Sequence, residues 1–325
     1  MRYLLRRLGF YLVAAWASVT LAFVIPRMMP GDPAAAMFAR FRGKLKPEAM
    51  EALRAAFGFT DHSTVSQYFR YLGHLLRGEL GISISQFPAS VGSVIAGALV
   101  WTLFLTGMAV AISFAAGTLL GMVAAWRRGR WFDSALPPLL TFVGALPYFW
   151  LAMLALFVGG VSLGWFPMGH AYEDNIVPGF HAAFLASVAR HAVLPALTIV
   201  IATVGGWMLG MRNTMTRTLG EDYVLLARAK GLSPARIMFR YAGRNALLPN
   251  VTGFGMELGF VLSGSLLTEI VFSYPGQGYL LVRAVQSLDY PLIQGLFLTV
   301  TLAVLGANWL VDLVYVWLDP RMRRS

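Results

Sequence analysis

The chain has 325 residues, of which 58% are hydrophobic and only 13% charged, and its mean hydropathy is +0.65. That is too apolar for a water-soluble domain of this length and points to an all-α integral membrane protein. The net charge of +11 is better explained by membrane topology than by nucleic acid, since the chain has no room for an exposed, aromatic-interleaved basic face. The absence of cysteine excludes disulfides, thiolate metal sites and cysteine nucleophiles.

Six apolar segments reach the roughly 20 residues needed to cross a ~30 Å hydrocarbon core. Arg6 and Arg7 precede the first, Leu8 to Ile25, which is long for a signal sequence and lacks a prompt small-x-small cleavage site, so it reads as a retained helix in residues 1–27. Residues 28–97 form the one sizeable non-membrane region expected on the outer side. Within it Pro47 to Phe57 predicts a short helix, and Val65 to Arg77 predicts a second with Tyr68, Leu72, Leu75 and Leu76 on one side. The second and third spans are Ala98 to Trp126 and Ala135 to Leu163, the latter bent by Pro137, Pro138 and Pro147. His170, Glu173, Asp174 and His181 follow without a metal-ligand spacing, so no metal site is assigned. Val193 to Met211, Val251 to Phe272 and Leu292 to Leu318 complete the set, giving a core of residues 98–318 and a tail of 319–325.

An even number of spans places both termini on one side. That side collects 16 of the 26 Lys and Arg residues, in the N-terminus, the loop at 127–130, the loop at 212–249 and the tail. Eight of the other ten lie in or beside the long segment 28–97, which weighs little in the positive-inside rule. Both termini and the 212–249 loop are therefore expected in the cytoplasm.

Glu221 to Pro249 lies between two spanning segments and reads as a docking element. Gly231 suits the left-handed conformation that ends one short helix, and Ser233 with Pro234 suits the N-cap and first turn of another. On that second helix Arg236, Arg240 and Arg244 recur every four residues beside an apolar row of Ile237 and Tyr241, a pattern that can lie flat at an interface.

This segment resembles the EAA loop of ATP-binding cassette importer permeases of the dipeptide, oligopeptide and nickel family. The matching residues are Asp222-Tyr223-Val224, Ala227-Arg228-Ala229-Lys230-Gly231 and Arg244 to Pro249. Leu225-Leu226-Ala227 stands where the general pattern has Glu-Ala-Ala, and Leu248-Pro249 lies farther from the glycine than usual. Further matches follow in order: Pro30 to Pro33, Ala125 to Asp133, Leu146-Pro147, Leu194 to Thr198, Val271 to Gly278, Asp289-Tyr290-Pro291 and Asp319 to Arg321.

The resemblance implies a type I importer permease fold with six transmembrane helices and a small extracytoplasmic subdomain. The chain is then a first-type subunit, multi-pass in the bacterial inner membrane and moving small peptides. Nickel, glutathione or oligosaccharide are alternative cargoes of the same machinery. The implied partners are a second homologous permease, two cytoplasmic ATP-binding subunits or one fused pair, an extracytoplasmic substrate-binding protein and membrane lipid, with no nucleic acid. No cofactor is expected in this chain, which lacks a Walker A loop and other catalytic signatures; ATP and Mg belong to the partner subunits. ATPase docking falls to Asp222, Ala227, Ala229, Lys230, Gly231, Leu232, Ser233, Arg236 and Arg240.

Two sites remain open between readings. Glu257, about two turns into the fifth segment, either meets a cationic substrate group or hydrogen-bonds across the interface between permeases. Val271 to Gly278 is either a gate or a plain hairpin: a Pro275-Gly276 turn gives a side-chain-poor loop that Phe272 and Tyr274 fill with bulk. A secondary transporter or channel is the competing class; it would also show six spans but needs no Gly231-centred docking segment.

Overall fold

The computed structural model describes residues 2–30, 63–261 and 265–318. Among these, ordered secondary structure is helical apart from an isolated antiparallel bridge between Ile82 and Ser90. The helices are α1 (Arg2–Met28), α2 (Thr64–Leu76), α3 (Val91–Trp126), α4 (Trp131–Ala145), α5 (Tyr148–Ala155), α6 (Ala182–Thr218), α7 (Asp222–Ala229), α8 (Arg244–Val261), α9 (Leu266–Val271), α10 (Gln277–Gln286) and α11 (Tyr290–Leu318). The helix predicted at Pro47 to Phe57 and the tail 319–325 lie outside the described residues.

Among the described residues four helices, within α1, α3, α6 and α11, are long and apolar enough to cross a bilayer. The predicted third span is not one straight helix. It breaks at Leu146-Pro147 into α4 and α5, the latter continuing through a π-helical stretch Leu156–Ser162, and the two halves meet at 94°. Of the three prolines, Pro137 and Pro138 stay inside α4. The break falls where Pro147 forces Leu146 into an extended conformation, φ −69° and ψ 140°. The predicted fifth span is likewise divided, between α8 and α9. Its N-terminal half begins earlier than expected: Pro234–Arg236, a π-helical stretch Ile237–Gly243 and α8 run on as one chain of helical turns.

The chain forms two compact units, residues 1–100 with 276–325, and residues 101–275. In the first, α1 and α10 pack on α11, and the core gathers Val91, Ile95, Leu280, Ala284, Leu292, Ile293 and Leu296. The N-terminus of α11 is capped by buried Asp289, whose Oδ1 accepts from Leu292 N at 3.1 Å. Its Oδ2 takes three more bonds, from Ser83 Oγ (2.5 Å), Ser85 N (2.7 Å) and Ser85 Oγ (2.8 Å). Helix α2 presents Tyr68, Leu72 and Leu75 at half-buried positions, whereas Leu76, expected on the same side, is 90% exposed. Tyr68 stacks edge-on against Phe23 and its hydroxyl meets Thr20 Oγ1 at 2.7 Å, which ties α2 to α1.

In the second unit α3 and α6 are the frame. A Cβ at Gly117 would lie 2.6 Å from Trp207 Cβ, and one at Gly121 would lie 2.5 Å from Met208 O and 2.8 Å from Met211 Cβ. Two glycines a turn apart thus let the two backbones touch. Side by side, the helices carry two cores. One includes Leu105, Ala109, Ala192, Leu194, Phe272 and Tyr274; the other includes Met122, Met211, Met215, Val224, Ala227, Ile237 and Ala246. From Leu105 to Met122 the axial distance is about 26 Å at 1.5 Å per residue, close to the hydrocarbon thickness of a bilayer.

Candidate functional site

At the Met122 end of the second unit, the basic segment folds back on the frame. Helix α7 starts after Glu221 and stops at Lys230, and Gly231 has φ +69°. Two bonds close the cap: Gly231 N to Arg228 O at 2.9 Å and Leu232 N to Ala227 O at 3.3 Å. This is the double-bonded left-handed helix ending that favours glycine. Ser233 is extended and Pro234 occupies the first helical position, as the sequence suggests, but Ser233 makes no side-chain cap bond.

The expected docking residues divide into two groups. Asp222, Ala229, Lys230, Gly231, Ser233, Arg236 and Arg240 are exposed, and Leu232 is half-buried. Ala227 is only 2% exposed and packs in the Met122 core, so it holds α7 on the frame and does not contribute to the outer surface. The regular basic and apolar rows expected on the second helix are also corrected. The stretch Ile237–Gly243 is π-helical, which shifts the register; Ile237 is buried at 3% while Tyr241 is 38% exposed. The outcome is a concave patch of about 420 Å³ lined by Tyr223, Arg240, Tyr241, Arg244, Asn245 and Leu248, with Asn245 Nδ2 donating to Tyr223 Oη at 2.8 Å.

A partly buried ion pair fixes the neighbouring basic loop to the frame. Arg212 Nε donates to Asp133 Oδ1 at 2.5 Å, and Gly129 N donates to Asp133 Oδ2 at 3.1 Å. Asp133 is 8% exposed. The carboxylate thus holds the 127–130 turn against α6 just before the basic segment 221–249, a role that the sequence did not assign.

The sequence leaves Val271 to Gly278, near the opposite end of the unit, open between a gate and a plain hairpin. There the turn is not at Pro275-Gly276. It lies at Phe272-Ser273, where Ser273 takes φ +46°, Ser273 N bonds Ile270 O at 3.0 Å and Tyr274 N bonds Glu269 O at 2.8 Å. Gly276 instead precedes α10 in an extended conformation. Phe272 and Tyr274 are almost wholly buried, at 1% and 0% exposure. Tyr274 sits edge-on to Trp101 at 6.0 Å, and Trp101 stacks on Tyr172 at 5.8 Å. The Phe272 carbonyl accepts from His170 N at 3.0 Å, and a Cβ on Gly169 would lie 2.8 Å from it. The segment is therefore packed into an aromatic core. His181 has a separate task as the N-cap of α6, its Nδ1 accepting from Phe184 N at 3.3 Å.

The carboxylate singled out in the fifth segment, Glu257, is half-buried. The wholly buried one is Glu269, at 0% exposure, whose Oε1 accepts from Thr102 Oγ1 at 2.9 Å. Glu269, like Glu257, is an acid in an apolar run, Leu266 to Val271, and that pattern marks it in the sequence as well.

Residues 117–324 match the family described as "Binding-protein-dependent transport system inner membrane component". Over 99% of this chain and 99% of the relative, the sequence is 34% identical to the di/tripeptide transport system permease protein DppB of Pseudomonas aeruginosa (strain UCBPP-PA14). It is also 34% identical to the dipeptide transport system permease protein DppB of Escherichia coli (strain K12), over the whole of this chain and 99% of that one. With its membrane-spanning helices and a family match over more than half its length, the chain belongs to the inner membrane components of binding-protein-dependent transport systems, as a multi-pass permease subunit.

Proposed function

We propose that this chain is one of two permease subunits of an ATP-driven importer that carries di- or oligopeptides across the inner membrane. The observation that carries the reading is the near full-length identity to permeases named for dipeptides, in a chain whose segment 221–249 presents an exposed, basic, preformed surface. Two ATP-binding subunits, which hold ATP and Mg, dock on that surface through Asp222, Ala229, Lys230, Gly231, Leu232, Ser233, Arg236 and Arg240. Ala227 supports it from beneath. Both termini and the 212–249 loop face the cytoplasm, six spans cross the membrane, and residues 28–97 form an extracytoplasmic subdomain beside the docked binding protein.

Transport then works by alternating access. ATP binding and hydrolysis in the partners supply the differential stability of two conformations, and α7 transmits it to α3 and α6 through the Met122 core. The segment 266–276, with Phe272, Tyr274, Pro275 and Gly276, closes the outer end of the pathway. Glu257 lies between the two ends as a wall residue.

Reconstitution of the purified complex tests this reading. Uptake of a labelled dipeptide that requires both ATP and the binding protein is the expected result. Uptake of nickel or glutathione in place of peptide would overturn the substrate, and a complex without ATP-binding subunits would overturn the class. Orientation is checked separately in the natural cysteine-free background: Ser233→Cys should be shielded from an impermeant reagent in intact cells, and Ser63→Cys should react.

A further inference from the structure

Aromatic packing fixes the fit of this loop through many individually weak contacts. The closing segment has something more directional. Glu269 and Thr102 are both wholly buried, and Thr102 Oγ1, one residue beyond Trp101 on α3, donates to Glu269 Oε1 at 2.9 Å. The same Glu269 uses its main-chain carbonyl to fix Tyr274 N at 2.8 Å, within the left-handed ending at Ser273. One residue therefore joins the tip of the segment to the frame helix, through its carbonyl on one side and its carboxyl on the other.

Burying a carboxyl in an apolar core is costly unless it is bonded, so this group is not retained for packing. A hydrogen bond to it fails steeply with distance and angle, and such a contact favours two discrete arrangements over a continuum. We infer that Glu269 is a positioning residue of the closure: its bond to Thr102 holds residues 266–274 against α3, and releasing that bond accompanies opening of that end of the pathway. The inference rests on reading this segment as the closing element.

The test uses the complete reconstituted transporter with a single cysteine at Ser273, which is half-buried. Two rates are read without binding protein: ATP hydrolysis and labelling of that cysteine by a small thiol reagent. Thr102→Val keeps the shape and removes the donor, Thr102→Ser keeps the hydroxyl, and Glu269→Gln keeps an acceptor oxygen. Since leaving a buried acceptor without its donor costs enough to shift a two-state equilibrium about tenfold, Thr102→Val should raise both rates by about that factor. Thr102→Ser and Glu269→Gln should stay within about twofold of the parent. A general packing defect would not be rescued by the serine. Should Thr102→Val fail to assemble, Thr102→Ala labelled in intact membranes carries the same expectation. Parental rates in the donor-less variant, or an equal rise in Thr102→Ser, would overturn the inference. Separately, parental labelling that never changes during turnover would overturn the reading of the segment as a gate.

Discussion

Two helices in the second unit end in the same way with different residues. Helix α7 stops at Gly231, φ +69°, and α9 stops at Ser273, φ +46°, each closed by one bond from the left-handed residue and one from its successor. Around Gly231 there is open space: nothing lies within 4 Å of where a Cβ would sit. Ser273 follows wholly buried Phe272 and precedes wholly buried Tyr274. At the exposed ending the conformation is set by local chemistry, because glycine adopts it freely. At the buried ending, packing of the neighbouring rings holds a residue that would not choose it. An exposed helix ending is shaped by its own sequence; a buried one is shaped by what surrounds it.

Both endings depend on the frame, and the largest effect should come from spoiling it. Gly121→Leu would drive a side chain into the Met208 carbonyl and Met211, where backbone cannot yield, and should cost about 3 kcal/mol or more. Loss of folded complex on size exclusion is the expected outcome, affecting docking and closure together. A monodisperse, active Gly121→Leu transporter would show that α3 and α6 are not jointly load-sharing.

Next comes a change confined to the buried side. Phe272→Ala removes a fully buried ring from the aromatic core and should destabilise by about 3 kcal/mol, read as a lower melting temperature in detergent. ATP-binding subunits should still co-purify in parental amounts, because the Met122 core is separate. Their loss would mean that the two cores are not independent. The smallest effect is expected at the cap itself. Ser273→Gly relieves a left-handed serine while adding chain entropy to the unfolded state, so stability should rise by no more than about 1 kcal/mol. A clear loss of stability would show that the serine side chain, and not the backbone, is what the site requires.

Legibility followed the same division. The helical membrane class came from composition, and the Gly231 ending, the Pro234 start and the break at Pro147 came from residues whose backbone preferences are strong and local. The π-helical register at Ile237–Gly243 was not legible, because nothing in a pattern of arginines every four residues distinguishes 3.6 residues per turn from a wider turn. The inward-facing Ala227 was missed for a related reason: a small residue inside a recognised motif reads as part of its surface until the helix is placed on its neighbours. The turn at Ser273 was displaced onto Pro275-Gly276, since proline and glycine are the usual punctuation and a serine in the left-handed region has no sequence signal. Asp133 with Arg212 lies 79 positions apart and Thr102 with Glu269 167 apart, so neither pairing can be read from spacing.

The proposed docking of the ATP-binding subunits on segment 221–249 stands or falls most sharply with Gly231→Val. Open space around Gly231 removes steric clash as an explanation, leaving only backbone strain of about 1–2 kcal/mol at the α7 ending. The measurement is the ratio of ATP-binding subunits to this chain in the purified complex, taken alongside the melting temperature of the membrane subunits. A sharply lower ratio with a melting temperature near the parental value is the predicted result. A parental ratio, with ATP hydrolysis still coupled to uptake, would contradict the claim.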